Sequence, residues 1–229
     1  MAQNVTAIVL AAGKGSRMNS EIPKQYLSLL GKPVLFYSLQ AFEESNVNEI
    51  ILVTGSGEQE YCKREIVDKY QLRKVRHIVE GGAERYHSVY QGLLAAKAEY
   101  VLIHDGARPL VSPAVINKAI DTVKETGACV VGMPVKDTIQ MVDAEGNIKS
   151  TPERKYLWMA QTPQCFLYSL ALSSYNKAID SKDDTITDDA MVVQRYGNAQ
   201  ITMVEGGYEN IKVTTPEDIA VAECFLKMR

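Results

Sequence analysis

The sequence predicts an α/β fold with a doubly wound, mainly parallel sheet, and two observations carry this prediction. Short β-branched and apolar runs alternate with segments of helical periodicity along much of the chain. One of these runs, residues 100–104, is almost unbroken in its apolar character, as in strands that helices cover on both faces. Ligands of such sheets bind at the carboxyl ends of the strands, so we expect the site in the loops there.

The individual elements follow in order along the chain. They are strand 5–10, a glycine-rich turn with a helical segment after it, strand 49–54, helix 58–70, strand 76–80, helix 85–97 and strand 100–104. A short strand at 211–213 precedes a final helix at 216–228. Thr215 is the natural N-cap of that helix, Pro216 takes its first position, and Asp218 stands three residues after the cap.

Residues 136–159 interrupt this alternation with the pattern of a β-hairpin. Two short stretches flank a turn at 143–147, which contains Gly146. A lone two-stranded hairpin is only marginally stable in water, so this segment is expected to pack against a second subunit or to fold over the site. We term residues 136–159 the arm and predict that it protrudes from a single domain formed by residues 1–229.

The composition fits a globular protein and excludes several classes of function. Hydrophobic residues make up 46% and charged residues 23% of the 229 residues, and the net charge is -3. This acidic balance and the absence of a Lys/Arg block argue against a nucleic-acid partner. Because the chain shows neither a signal-peptide pattern nor an apolar stretch of membrane-spanning length, we expect a cytoplasmic protein without membrane contact.

The sequence gives little indication of a metal-binding cluster of cysteine, histidine or acidic residues. Four cysteines are scattered without a Cys-x-x-Cys pair, which predicts buried free thiols. They are Cys62, Cys129, Cys165 and Cys224. The run Thr187, Asp188 and Asp189 has the chemistry of a metal site, but ahead of an apolar segment it is more typical of a helix cap.

The most informative motif follows the first strand. Gly13 and Gly15 allow a tight turn whose N–H groups point at a phosphate, and Arg17 and Lys24 supply positive charge. The spacing differs from that of a Walker loop, and Met18 stands where a dinucleotide fingerprint has its third glycine. A simple glycine turn with two solvated cations is the structural alternative, and the position after the first strand favours phosphate binding.

These residues and several later motifs together resemble the 2-C-methyl-D-erythritol 4-phosphate cytidylyltransferase family. The resemblance implies a Rossmann-like nucleotidyltransferase fold and the transfer of CMP from CTP to methylerythritol phosphate, with release of pyrophosphate, in non-mevalonate isoprenoid biosynthesis. The matching motifs are Ala11-Ala-Gly-x-Gly-x-Arg17-Met18, Pro23-Lys-Gln-Tyr26, Gly81-Gly-x-x-Arg85-x-x-Ser88-Val89, His104-Asp-Gly-Ala-Arg108-Pro109, Lys136-Asp-Thr138, Trp158-x-Ala-Gln-Thr-Pro-Gln164 and Asn210-Ile-Lys-x-Thr-Thr-Pro-Glu-Asp218.

Such a reaction needs cations and in-line positioning more than a base, because the attacking phosphate is already ionised. By resemblance, Arg17 and Lys24 brace the triphosphate, and Asp105 holds Mg2+ against it. From the sequence alone, Asp105 fits an Asp-Gly turn equally well. Ala83 departs from the acidic residue that some relatives carry there, so backbone contacts are expected in its place. The residues that the resemblance assigns to the nucleotide are Ala11, Ala12, Gly13, Gly15, Gly82, Ser88 and Asp105.

The resemblance also implies how the acceptor is held. Lys212 and Arg154 hold the methylerythritol phosphate for attack and count as catalytic, with Asp105 and Arg108 beside it. Thr138 and Arg154 reach the acceptor from the neighbouring subunit, which predicts a homodimer through the arm. Without the resemblance, a lysine and an arginine at these positions are ordinary solvated charges.

Three alternatives stay open at this point. A ribitol 5-phosphate cytidylyltransferase shares the fold, CTP and magnesium, but such enzymes tend toward Ala-Gly-Gly where this chain has Ala11-Ala-Gly13. A sugar-1-phosphate nucleotidylyltransferase leaves the Lys-Gln-Tyr run at 24–26 and the Gln-Thr-Pro-Gln run at 161–164 unexplained. A non-catalytic nucleotide-binding regulator would be expected to have lost one of its cations, such as Lys24.

Overall fold

The computed structural model describes residues 4–13, 22–181, 183 and 185–228. The strands are β1 (Val5–Ala11), β2 (Ser28–Leu29), β3 (Lys32–Pro33), β4 (Glu49–Thr54), β5 (Val75–Glu80), β6 (Tyr100–Asp105), β7 (Ala128–Pro134), β8 (Met141–Val142), β9 (Ile148–Ser150), β10 (Trp158–Leu167) and β11 (Thr202–Glu205). The helices are α1 (Val34–Glu43), α2 (Gln59–Cys62), α3 (Arg85–Ala95), α4 (Pro113–Thr126), α5 (Tyr168–Ser181), α6 (Asp189–Gly197) and α7 (Pro216–Lys227). No helix in this part of the chain is both long enough and apolar enough to cross a membrane.

Seven of the described strands form one central sheet in the order β11-β7-β10-β6-β1-β4-β5. All neighbours pair in parallel except β10, which runs antiparallel to both β6 and β7. β1 lies in the middle, and its side chains alternate between two hydrophobic clusters, with Ala7 and Val9 in one and Ile8 and Leu10 in the other. This arrangement confirms the prediction of a doubly wound, mainly parallel sheet.

Helices cover both faces of the sheet. α1 and α4 supply Leu39 and Ile120 to the first cluster, and α3 and α5 supply Leu93 and Tyr175 to the second. α3 lies especially close, because a Cβ at Gly92 would stand only 2.4 Å from a methyl carbon of Ile8 in β1. The start of α3 is therefore fixed relative to the sheet edge where ligands are expected.

The predicted elements agree with the structure to within a few residues. Two predictions are wrong, one about the segment 211–213 and one about the burial of Cys224. Residues 211–213 do not form a strand: Val213 N–H bonds to the carbonyl of Ala107 at 2.8 Å, but the segment pairs with none of the described strands of the sheet and is held by packing of its buried Val213 side chain. Cys224 is exposed on α7, whereas the other three cysteines are buried free thiols. The predicted helix 58–70 consists of α2 followed by a π-helix at Lys63–Asp68.

The start of α7 is built as the sequence predicts. The Asp218 carboxylate accepts hydrogen bonds from the backbone N–H groups of Thr214 and Thr215, at 2.7 and 2.8 Å, and from the Thr214 hydroxyl at 3.0 Å. α6 likewise begins at a cap, because Asp188 accepts a bond from Met191 N–H. The cap interpretation of the 187–189 run therefore holds for Asp188.

The arm leaves and re-enters the sheet at one point. β8 and β9 form its separate two-stranded sheet, closed by a turn in which Asp143 N–H bonds to the Asn147 carbonyl at 3.0 Å. The last two arm residues already belong to β10, where Trp158 pairs with Pro134 at the end of β7. The predicted hairpin is present, and the two ends of the arm lie next to each other in the sheet.

Candidate active site

A cleft of about 980 Å³ opens where β1, β4, β5 and β6 end. This is the edge at which parallel sheets bind ligands. Its walls come from the loop after β1, the turn before β2, the loops after β4 and β5, the end of β6 and the segment before α7. They include Ala11, Ala12, Gly13, Lys24, Glu58, Glu80, Gly82, Arg85, Ser88, Asp105 and Lys212.

The turn that carries Lys24 is tied to the ends of two strands. Lys24–Tyr26 forms a 3-10 helix, and the buried Gln25 side chain donates a hydrogen bond to the carbonyl of Ala11 at 2.6 Å. The Tyr26 hydroxyl donates to Glu58 at 2.6 Å, and Glu58 also accepts from Gly55 N–H at 3.1 Å. Gln25 and Tyr26 thus hold the Lys24 backbone at the rim of the cleft.

The opposite wall brings two loops into close contact. A Cβ at Gly81 would lie 2.7 Å from both the Cβ of Ala12 and the hydroxyl of Ser88, so only glycine fits there. The Ser88 hydroxyl accepts a hydrogen bond from Gly82 N–H at 3.1 Å. Gly82 and Ser88 thus line a narrow, backbone-rich wall of the cleft, and their role at the nucleobase stays a prediction.

Three cations surround Asp105 at the end of β6. Its Oδ2 accepts a hydrogen bond from Lys212 Nζ at 2.8 Å, its Oδ1 accepts one from Arg85 Nε at 3.0 Å, and Arg108 Nε lies 4.0 Å from Oδ2. Burial alone would raise the pKa of Asp105. The charges of Arg85 and Lys212 outweigh burial and hold that pKa well below its usual range, so Asp105 is ionised at neutral pH.

Arg85 connects Asp105 to a second carboxylate. Its Nη1 and Nη2 donate to the two oxygens of Asp189 at 2.7 and 2.8 Å. The Tyr175 hydroxyl donates to Asp189 Oδ1 at 2.5 Å, and Asp189 is completely buried. Burial would lower the pKa of Arg85, but the two carboxylates raise it above the ordinary value. The guanidinium is therefore a permanent, doubly paired charge.

His104 and Thr162 fix the backbone on either side of Asp105. The Thr162 hydroxyl accepts from Asp105 N–H at 3.1 Å and lies 2.9 Å from His104 Nδ1. His104 Nε2 lies 3.3 Å from the Arg108 carbonyl. Because that carbonyl can only accept, Nε2 carries the proton and Nδ1 accepts from Thr162. Burial lowers the pKa of His104 to about 3, so the ring is neutral.

The structure brings most of the predicted site residues together. Arg108 stands beside the cleft and donates to the Asn210 carbonyl at 2.8 Å. Thr138 and Arg154 lie on the exposed arm, where Arg154 donates to the Lys136 carbonyl, and neither lines the cleft. Gly15 and Arg17 lie outside the described residues. The predicted residues that line the cleft are Ala11, Ala12, Gly13, Lys24, Gly82, Ser88, Asp105 and Lys212.

The sequence interpretation misses the link between Arg85 and Asp189. Arg85 is part of a motif but receives no role, and Asp189 is treated with Asp188 as part of a cap. The structure separates the two aspartates, because Asp188 caps α6 while Asp189 turns into the core toward Arg85. The sequence did contain an indication of this link. Asp189 directly precedes the apolar start of a helix, and a carboxylate that is buried there needs a cation as its partner.

Sequence comparisons agree with this geometry. The family profile described as 2-C-methyl-D-erythritol 4-phosphate cytidylyltransferase (IspD) matches residues 5–228. This chain belongs to that family. A cytidylyltransferase of the same printed name from Lachnospira eligens is 52% identical, covering 97% of this chain and 99% of its own. One from Lachnoclostridium phytofermentans is 50% identical, covering 98% and 97%.

Solved structures of IspD proteins have the same fold. The 4-diphosphocytidyl-2C-methyl-D-erythritol synthase of Anaerococcus prevotii superposes with a TM-score of 0.87 at 33% identity, covering 98% of this chain and 96% of that one. The Thermus thermophilus cytidylyltransferase gives 0.81 at 28% identity, covering 98% and 100%. The predicted family, fold and cytidylyltransferase activity with CTP as co-substrate are thereby confirmed. The ribitol 5-phosphate alternative is not favoured.

Proposed function

We propose that this cleft transfers CMP from CTP to 2-C-methyl-D-erythritol 4-phosphate, as a step of isoprenoid biosynthesis, and that its residues divide the work as follows. The loop at Ala11–Gly13 and the wall at Gly82 and Ser88 hold the nucleotide. Lys24, together with Arg17, neutralises the triphosphate, and Lys212 holds the acceptor phosphate. Because CTP is the substrate, we assign the reaction to the cytoplasm.

A single observation supports this assignment most strongly. The ionised carboxylate of Asp105 and the ammonium group of Lys212 meet at 2.8 Å, in the same cleft as Lys24 and the glycine loop. Cations that line one cleft are what a transfer between two phosphates needs. The described residues of this cleft include neither a serine–histidine pair nor a cysteine nucleophile.

The chemistry needs no base on the protein. An oxygen of the acceptor phosphate, whose second pKa is about 6, attacks the α-phosphorus of CTP. The bond from that phosphorus to the bridging oxygen breaks, and pyrophosphate leaves. Lys24 offsets the negative charge that develops on the phosphoryl oxygens and on the leaving group. Lys212 brings the acceptor oxygen in line with the bond that breaks.

A divalent cation fits the residues present. Mg2+ in nucleotide sites is commonly held by one or two carboxylates together with substrate phosphates, and Asp105 is such a carboxylate. The described residues contain no cluster of three acidic, histidine or cysteine ligands, so the phosphates would supply the other ligands. When bound, the ion would neutralise phosphate charge. Asp105 would hold it after Lys212 exchanges the carboxylate for the acceptor phosphate.

We further propose that the arm makes the protein a homodimer and completes the partner's site. Seven large apolar side chains of the arm are exposed in the single chain, Val142 by 56% and Ile148 by 65% among them. The others are Ile139, Met141, Tyr156, Trp158 and Met159. An apolar hairpin of this kind gains stability by packing against a second chain. Thr138 and Arg154 would then contact the acceptor in the neighbouring cleft.

Pyrophosphate release tests the assignment directly. We expect turnover with CTP, Mg2+ and methylerythritol 4-phosphate, and little with UTP or with ribitol 5-phosphate. Lys24→Ala should lower kcat by a factor on the order of a hundred or more, because a charge that stabilises the transition state is lost. Lys32→Ala is the matched control, since Lys32 stacks on the Phe36 ring and does not line the cleft.

The possible outcomes separate clearly. Full activity of Lys24→Ala would remove Lys24 from the mechanism. Turnover of ribitol 5-phosphate alone would change the acceptor and leave the roles of the cations intact. No turnover with either acceptor would contradict the assignment of the protein as an enzyme.

A further inference from the structure

We infer that Arg85 is a positioning residue for CMP transfer, because it holds Oδ1 of Asp105 permanently and leaves Oδ2 to exchange its partner. The inference rests on the proposed function, in which Asp105 acts on the nucleotide. In this structure the partner of Oδ2 is Lys212. Arg85 would thus determine how the Asp105 carboxylate is turned when the substrates are bound.

The two contacts of Asp105 differ in how easily they break. Arg85 is anchored by Asp189, which is completely buried and also bonded to the buried Tyr175 hydroxyl. Removing Arg85 from Asp189 would leave an uncompensated buried charge, which is costly. Lys212, in contrast, is 34% exposed and reaches Asp105 by one rotatable ammonium group. The Arg85 contact is therefore the fixed one and the Lys212 contact the exchangeable one.

The arrangement needs the shape of an arginine. Three nitrogens of one planar guanidinium contact three oxygens of two carboxylates, at 2.7 to 3.0 Å. A lysine carries its charge at a point on a flexible stem and cannot reproduce this fork. The position is rigid as well, because Arg85 is the first residue of α3 and Gly92 lets that helix press against β1.

The charges explain why Lys212 can leave. Asp105 and Asp189 contribute two negative charges, and Arg85 and Arg108 contribute two positive charges. Without Lys212 this group is already neutral, so the ammonium can turn to a phosphate without leaving an unbalanced carboxylate. The same count means that Arg85 cannot be replaced by a neutral residue without a net negative charge at the phosphate site.

A double-mutant cycle tests this coupling. We expect Arg85→Lys to lower kcat by about tenfold or more, because a misplaced carboxylate loses its orientation toward the substrate. In an Asp105→Asn background the same change should lower kcat by less than about twofold, since two residues that act through one interaction are not additive. Arg195→Lys is the matched control, because Arg195 pairs with Asp183 away from the cleft.

Equilibrium binding supplies a readout that does not depend on turnover. CTP is titrated into each variant by calorimetry, with MgCl2 present and the acceptor omitted. Arg85→Lys and Asp105→Asn should weaken CTP binding by similar factors, and the double variant should bind no more weakly than Asp105→Asn. If Arg85 only stabilised the fold, Arg85→Lys would lower the thermal midpoint and leave the affinity for CTP unchanged.

Several results would overturn the inference. If the losses of Arg85→Lys and Asp105→Asn multiply in the double variant, Arg85 acts independently of Asp105. If Asp105→Asn is impaired and Arg85→Lys is not, the inference fails and the proposed function stands. Full activity of Asp105→Asn would remove the inference and the proposed role of Asp105, and it would leave the assignment of CMP transfer standing.

A second variant covers the case in which Arg85→Lys does not fold. Tyr175→Phe keeps the ring and removes only the hydroxyl that holds Asp189. We expect a loss of a few fold in kcat that disappears in the Asp105→Asn background. An equal loss in both backgrounds would contradict the inference.

Discussion

At the scale of single residues, His104 shows how the site depends on burial. Its ring is completely buried and neutral, with one nitrogen donating to the Arg108 carbonyl and the other accepting from Thr162. Burial lowers its pKa from 6.5 to about 3, the charge of Arg108 acts in the same direction, and Asp105 opposes both. The unfolded chain therefore takes up a proton on this residue at a pH where the folded protein does not.

This difference predicts acid sensitivity with a defined sign. As the pH falls from about 6.5 toward 3, His104 should reduce the free energy of unfolding by up to about 1.4 kcal/mol per pH unit. Urea denaturation of the metal-free protein in EDTA, between about pH 6 and 4.5, measures the slope. His104→Asn should be less stable throughout and show a flatter slope. An unchanged slope in this variant would mean that other groups cause the acid sensitivity.

Single residues also mark the limit of inference from sequence. The position of Lys24 close behind the glycine turn of the first strand favours a role at a phosphate, whereas Asp105 and Lys212 are assigned only through the family resemblance. The pairing of Arg85 with Asp189 was not predicted, since the two residues are 104 positions apart and meet only after α3 and α6 pack on the same face. Long-range ion pairs follow from topology, which local patterns do not contain.

At the scale of elements, the cap of α7 couples stability to the site. Asp218 binds the backbone of Thr214 and Thr215, which directly follow the segment that carries Lys212. Burial would raise the pKa of Asp218, but these hydrogen bonds lower it, so the carboxylate is ionised at pH 7 and the cap contributes its full strength there.

Loss of this cap should therefore have two effects. Asp218→Ala should lower the free energy of unfolding at pH 7 by about 1 to 2 kcal/mol, because two backbone donors lose their acceptor. It should also lower kcat, because Lys212 is less well held. Urea denaturation and the pyrophosphate assay measure the two. Glu223→Ala on the same helix, which removes an exposed pair with Lys227, should change stability by less than about 0.5 kcal/mol. Equal effects of both variants would argue against the cap.

Elements differ in how far the sequence predicts them. β1, β4, β5 and β6 were predicted within two residues, because each is a compact apolar run between turn signals. β10 contains Pro163 and three glutamine or threonine residues, which weaken any strand pattern, and β11 is short and largely exposed. Both are strands because neighbouring strands pair with them, which is a tertiary effect.

At the scale of the whole molecule, the proposed dimer predicts that defective subunits can complement each other. In a mixed dimer of Lys24→Ala and Arg154→Ala chains, one cleft carries both defects. The other has its own Lys24 and receives Arg154 from the partner. If subunits exchange randomly, half of the dimers are mixed and about a quarter of the wild-type activity should return.

Mixing the two inactive variants after mild dissociation and measuring pyrophosphate release tests this expectation. Sedimentation of each variant confirms that dimers are present. The control pairs Lys24→Ala with Lys212→Ala, whose two lost groups lie on the same chain and in the same cleft. That pair should not complement, because each cleft of a mixed dimer still lacks one of its two lysines. If the test pair recovers no more activity than the control pair, the assignment of Arg154 to the partner's cleft is wrong.

The pairing of Trp158 with Pro134 has a consequence for how such proteins diversify. Since the arm begins and ends at adjacent positions of one strand ladder, it is a module that can be lengthened, shortened or exchanged without shifting the register of the sheet. The nucleotide-binding loops belong to other strands and are not disturbed. With the roles proposed for the arm, acceptor preference and subunit assembly would change together through this one insertion, while the loops proposed to bind CTP keep their sequence.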